Sequence, residues 1–223
     1  MTESTRFSAV DRNRVKRVPE RGQYEKEDVY AILDAALICH VAFIQDDQPF
    51  VIPTLHARDG DRLLLHGATT SRLIKHVAAG NEVSIAVTLV DGLVLARSVF
   101  HHSVNYRSAV IFGRGRQLDD AGKMDALARF TEKLVPGRWD DARLPNSTEL
   151  KATAVVAVPI DLASAKVRTG GPKDDAEDYA LPVWAGVVPM TTRYLPPVTD
   201  PAMTTDAPVP PYVADLIRMR NGG

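Results

Sequence analysis

The sequence predicts a mainly β protein, an antiparallel barrel with a few peripheral helices. Three observations carry this. Short apolar runs outnumber helical stretches, polar turn residues join successive runs, and helical crossovers are too few to build a parallel sheet. The first helix is expected over Tyr24–Leu37, where Val29, Ile32, Leu33, Ala36 and Leu37 recur at three- and four-residue spacing. Glu25, Glu27 and Asp28 stand in its first turn, where the helix dipole favours negative charge. Ile38–Ile44, Gln45-Asp46-Asp47-Gln48 and Pro49–Arg58 then read as strand, turn and strand. Asp59-Gly60-Asp61 turns the chain into a third strand, Arg62–His66, which completes a meander.

Thr70–Ala79 reads as a short helix stopped by Gly80-Asn81. Val83–Val90 and Leu93–Phe100 read as two strands joined by a hairpin at Asp91-Gly92. Arg107–Leu118 is a further strand, and Lys123–Val135 a helix ended by Pro136-Gly137. Thr153–Ile160 and Ser164–Arg168 continue the sheet, and Leu181–Val188 is the last strand expected. The domain plan is a mobile arm over residues 1–22, a barrel over 23–190 and a tail over 191–223. The arm carries Arg12, Arg14, Lys16 and Arg17, either solvated or laid over a partner subunit or anionic ligand. The tail holds six of the 15 prolines, from Pro196 to Pro211, so it reads as a semi-rigid linker before a docking helix at Tyr212–Met219.

Composition narrows the function. The 223 residues carry 27 Lys+Arg against 28 Asp+Glu, a net charge of −1, which removes any global argument for nucleic-acid binding. Cys39 is the one cysteine, so neither an internal disulfide nor a cysteine zinc site is available; it reads as a packing residue. No apolar run approaches the ~18 residues of a membrane span, and the first twenty residues lack a secretory apolar stretch. A cytoplasmic location is the expectation. Walker, GxSxG and HExxH motifs are absent, and Gly113-Arg114-Gly115 is only half a dinucleotide fingerprint. None of the six histidines is four residues from another, so no helical metal pair exists. His101 and His102 are adjacent, and on a strand they would face opposite sides.

The most informative stretch runs from Leu63 to His76. An apolar strand ends in His66-Gly67-Ala68, and hydroxyl residues open a helix bearing Ser71, Arg72 and Lys75. Ser71 and Lys75 are four apart and share a face, with Arg72 beside them, so a hydroxyl and two cations crowd the first turn. That arrangement suits a phosphate held by charge-assisted bonds of ~1.5–3 kcal/mol each, or else a capped surface helix with solvated cations. Gly67 and Ala68 leave room for a flat group to approach the backbone.

These residues carry a resemblance. Phe50-Val51-Ile52-Pro53-Thr54, then Leu65-His66-Gly67-Ala68 with Ser71-Arg72-Leu73, then Ser103 through Gly113 occur in an order that resembles the pyridoxamine 5′-phosphate oxidase-related flavoproteins. The branch with nitroimidazole-resistance proteins is the most similar. Ala163–Gly170 resembles the family's late strand. The resemblance implies a split β-barrel of the FMN-binding type, antiparallel with Greek-key connections, and a homodimer with FMN at the subunit interface. It also implies roles. Ile52, Pro53 and Thr54 would edge the flavin ring, with His66 and Gly67 near the ring and ribityl chain. Ser71, Arg72 and Lys75 would hold the phosphate. Tyr106, Arg107 and Ser108 would line the site from one subunit or its neighbour, and Trp184 would approach the flavin across the interface. His66 would either pass a proton to reduced flavin or substrate, or merely shape the pocket. The substrate-phosphate clamp and terminal Arg-x-His of true pyridoxamine 5′-phosphate oxidases have no match, which argues against vitamin B6 oxidation.

The expectation is therefore an FMN-dependent oxidoreductase of nitroreductase-like type acting on a small molecule, with a reduced nicotinamide as electron donor. The alternatives are a non-catalytic flavin or haem binding protein, or a structural dimer with no ligand. Neither nucleic acid nor membrane is an expected partner.

Overall fold

The computed structural model describes residues 4–222. Two antiparallel sheets enclose the main core. The elements in chain order are β1 (Gly22–Gln23), α1 (Lys26–Ala35), β2 (Ile38–Gln45), β3 (Gln48–Leu55), β4 (Ala57–Asp59), β5 (Arg62–Ala68), α2 (Arg72–Ala78) and β6 (Glu82–Leu95). Then come β7 (Ser103–Arg114), β8 (Arg116–Gln117), α3 (Asp120–Leu134), α4 (Arg138–Asp141), α5 (Ser147–Ala152), β9 (Thr153–Pro159), β10 (Leu162–Arg168), β11 (Gly186–Pro189) and α6 (Pro211–Arg220).

The larger sheet has the order β1-β10-β7-β6-β2-β3, with β11 added on β6; the smaller has the order β4-β5-β9-β8. Among the described residues no ladder joins the two, so they stack as open sheets and do not close into a hydrogen-bonded barrel. The chain changes sheet at His56. The expected strand Pro49–Arg58 is thus two strands: β3 pairs with β2, while β4 pairs with β5.

Alternation along each strand sends one set of side chains into the core. Cys39, Val41 and Phe43 of β2, Val83, Ile85 and Val87 of β6, and Leu63 and Leu65 of β5 meet there with Val29 and Leu33 of α1. Cys39 is buried, and its thiol is pushed up to about 12 by desolvation, as its packing role requires. A second, smaller core lies on the outer face of the small sheet. There Leu64, Val155 and Ala157 pack under Ala126 and Phe130 of α3. Residues of β5 and β9 are therefore buried on both faces.

The hairpin expected at Asp91-Gly92 does not form. β6 runs through it as one fourteen-residue strand with a bulge, and the chain turns only after Leu95. Two contacts explain this. The Asp91 carboxylate is taken by Arg107 in a two-pronged pair at 2.8 and 2.9 Å. Gly92 admits β11: a Cβ there would stand 3.0 Å from the Val188 carbonyl oxygen. The glycine serves close strand approach, not a turn.

Residues 4–22 are docked along the domain. Phe7 enters the main core and donates its N–H to Tyr24 O at 2.8 Å, while Asn13 Nδ2 donates to Ala163 O at 2.8 Å. Asn13 also bonds Ser8 O and Val10 N within the arm, so Asn13→Ala should cost at least about 1 kcal/mol in urea unfolding, the net worth of a single hydrogen bond; an unchanged midpoint would mean the arm contributes nothing there. The tail also returns to the domain. Asn221 and Tyr194 exchange hydrogen bonds at 2.8 and 2.9 Å, Tyr212 Oη donates to Asp141, and Leu216 of α6 is buried.

Candidate functional site

β3 ends the larger sheet and hydrogen-bonds only β2, which leaves the other edge of Ile52, Pro53 and Thr54 outside any ladder. Pro53, with no N–H, suits such an edge. Ile52 and Thr54 face the core side and are half-buried, whereas Pro53 faces outward and is exposed.

β5 delivers the chain to α2. Gly67 backs on that helix, where a Cβ would lie 3.1 Å from Ile74 Cγ1. Ser71 stands at the N-cap position, but its hydroxyl makes no capping bond. Arg72 lies over the Phe50 ring, its Cζ 4.2 Å from the centroid. Phe50 in turn stacks on Phe43 at 5.4 Å, and Phe43 meets His76 at 4.5 Å. Lys75 is exposed one turn further on. Neither Arg72 nor Lys75 has an ion-pair or hydrogen-bond partner for its side chain among the described residues. α2 has only seven residues, so the cations, rather than the dipole of so short a helix, give the cluster its charge. Beside it a cavity of about 540 Å³ is lined by Phe43, Phe50 and His76, with Arg12 and Arg114 also contributing.

Gly67 and Ser71 meet where β5 passes into α2, Arg72 and Lys75 follow on that helix, and Arg72 reaches Phe50, two residues before Ile52 on the open edge of β3. The structure does not bring His66 to them. On β5 the residues Leu63, Leu65 and Gly67 point one way and Leu64 and His66 the other. The His66 ring packs 4.3 Å from Phe130 of α3, and its Nδ1 is buried with no partner. Burial lowers its pKa, which favours the neutral ring. In one chain the His66 ring therefore faces α3 and not the α2 cations. His66→Ala should leave flavin content unchanged; loss of flavin, read by absorbance, would return His66 to the cofactor.

Tyr106, Arg107 and Ser108 lie on β7, three strands from β3, a lateral separation of about 14 Å. Arg107 is held by Asp91, and Ser108 Oγ donates to Lys166 O at 3.2 Å. Arg107 also borders a cavity of about 530 Å³ closed partly by Met190 and by tail residues Tyr194 and Arg220. Trp184 is 65% exposed and leans on Gly186 at the start of β11, remote from α2 along the sheet. His101 sits against Asp175 at 3.2 Å, and His102 Nδ1 accepts from Ala96 N. Sequence reading missed Phe43 and Phe50 as an aromatic pair under Arg72; the spacing of two phenylalanines across a short turn was the available signal.

No His/Cys/Asp/Glu cluster among the described residues could hold a metal, and none of their helices is long and apolar enough to cross a membrane.

Residues 25–167 match the family model for pyridoxamine 5′-phosphate oxidase, and the chain belongs to that family. Among solved structures it is similar to the flavocytochrome Anf3 from Azotobacter vinelandii, with 42% identity over 92% of this chain and 96% of that one and a TM-score of 0.88. It is also similar to the FAD and heme binding protein from Mycobacterium smegmatis, with 37% identity over 88% of this chain and 97% of that one and a TM-score of 0.85. A candidate 5-nitroimidazole antibiotic resistance protein from Bacteroides thetaiotaomicron shares the fold, at 23% identity over 64% of this chain and 84% of that one and a TM-score of 0.54. No curated protein sequence matches.

Proposed function

We propose that the protein is a flavin-binding redox protein whose Ser71, Arg72 and Lys75 hold the flavin phosphate. The observation that carries this is the Arg72 guanidinium, which lies across Phe50 beside an open strand edge and has no anionic partner among the described residues. Flavin chemistry supplies one- or two-electron transfer once the group is bound. The protein's part is to bind and orient. Arg72, Lys75 and the Ser71 hydroxyl neutralise and position the phosphate, and the backbone edge at Ile52–Thr54 offers donors and acceptors to a planar polar rim. FMN is the flavin the family resemblance implies, and the naming of the M. smegmatis relative favours FAD. The cluster suits the phosphate of either.

A homodimer with the flavin between subunits is part of the proposal. Ile38 and Ile44 of β2, Val51 of β3 and Val90 of β6 are exposed, and Phe100 at the β6–β7 turn is 85% exposed. An apolar surface of that kind favours a second copy. Such a partner would bring Tyr106, Ser108 or Trp184 toward a flavin that they do not reach in one chain.

A second reading adds haem. Flavocytochrome Anf3 and the FAD and heme binding protein support it, together with His40 and His66, whose rings have no hydrogen-bond partner among the described residues. A neutral imidazole nitrogen is what iron takes as a ligand. The test is the absorption spectrum of the purified protein, followed by anaerobic addition of a reduced nicotinamide. A flavin band that bleaches supports an oxidoreductase acting on a small molecule, and an unbleached band supports a carrier. A Soret band adds haem. A colourless protein that takes up neither FMN nor FAD contradicts the proposal.

A further inference from the structure

Near the β1 edge of the larger sheet, on the strand four from β3, Arg168 closes β10 with its side chain inside the protein. It is 6% exposed. Its guanidinium donates to Asn105 Oδ1, to Gly170 O at 3.3 Å and to Gly171 O at 3.2 Å. All three acceptors are neutral, and Nε is buried with no partner at all. No carboxylate pairs with Arg168 among the described residues. A buried charge left this way is costly unless an anion joins it.

The surroundings add positive charge. Arg168 lines a cavity of about 290 Å³ together with Arg21, Gln23, Thr169 and Lys173. The side chains of Arg21 and Lys173 have no ion-pair or hydrogen-bond partner among the described residues. Arg21 is near enough to depress the Arg168 pKa further, after desolvation. One carboxylate, Glu20, borders the same cavity, so three cations face one anion. The volume lies just below the ~300–1,000 Å³ of drug-sized ligand pockets, which limits the occupant to a small group.

The geometry points to an anion-binding site here, separate from the Arg72 cluster, that takes a phosphate group or phosphate monoester on Arg168, Arg21 and Lys173. With Nη1 given to Asn105 and Gly170 and Nη2 to Gly171, Arg168 keeps its Nε–H and one Nη2 hydrogen for an anion, and Arg21 and Lys173 add two further cations at the same cavity. A structural role for Arg168, shaping the Gly170-Gly171 loop through its carbonyls, accounts for two of its nitrogens. It does not account for the unpartnered Nε or for two further unpaired cations at the same cavity.

Calorimetric titration of the full chain as purified tests this, with inorganic phosphate and separately with phenyl phosphate at fixed ionic strength. Saturable binding is expected, and the double variant Arg21→Gln, Lys173→Gln should weaken it at least about tenfold, the worth of one charge-assisted bond. Both substitutions replace side chains without partners among the described residues, so the fold is not at stake. Tighter binding of inorganic phosphate assigns the site to the free anion, and tighter binding of phenyl phosphate assigns it to an ester. No saturable binding of either probe, equal affinity in the double variant, or release of bound flavin during the titration would overturn the inference.

Discussion

Arg72→Ala lowers flavin affinity by about 1.5–3 kcal/mol, the worth of one charged hydrogen-bonding contact, and the purified variant carries correspondingly less flavin. Arg72 has no acceptor among the described residues, so its removal costs the fold little; the loss falls on the ligand. Phe50 beneath it is half-buried on the Phe43 ring and keeps its place. Arg72→Lys should recover part of the affinity, because a point charge survives while the planar stack on Phe50 is weakened. A fluorescence titration with FMN and FAD reads both variants. Unchanged affinity in Arg72→Ala would remove the guanidinium from the phosphate site.

Acid destabilises the protein through His56. This residue is 1% exposed, at the point where the chain passes between sheets. Its Nε2 lies 2.9 Å from Leu33 O and 3.1 Å from Lys133 Nζ, and its Nδ1 has no partner. Burial first, and then the Lys133 charge, lower its pKa from 6.5 to about 4. The unfolded chain therefore binds a proton at a higher pH than the folded one. The fold carries no penalty above pH 6.5 and loses on the order of 3 kcal/mol as pH falls from 6.5 to about 4. Lys133, held down to about 8 by desolvation, gives a second rise in stability between about 8 and 10.5. Urea unfolding from pH 7 to 4 in the parent and in His56→Gln checks the first window. The difference in slope isolates His56 from the carboxylates that titrate in the same range. Equal slopes would mean that His56 is protonated in the folded state as easily as in the unfolded one.

The strand-to-helix corner was legible because each signal agreed: an apolar run, a glycine, hydroxyls and then spaced cations. The direction of His66 was not. Leu63, Leu64 and Leu65 are all apolar because both faces of β5 are buried, one by the main core and one by α3. Without alternation, nothing assigned the next residue to a face. Asp91-Gly92 misled for a different reason. The pair satisfies turn chemistry locally, and only long-range partners, Arg107 and β11, keep the strand straight through it. The docked arm was hidden in the same way, since a lone Phe7 in a charged stretch gives no periodic signal. The helix α5 was not expected, although the capping box of Asn146 and Glu149 that opens it is a spacing signal. Arg168 offered no sequence signal: its burial depends on the fold of the Gly170-Gly171 loop around it.

The most direct measurement compares riboflavin with FMN on the parent protein. The two share the ring and the ribityl chain and differ by the phosphate. If Ser71, Arg72 and Lys75 grip that group, FMN binds at least about tenfold tighter, and raising the salt concentration narrows the gap. Equal affinity for the two, at low and high salt alike, would contradict a phosphate clasp at this corner.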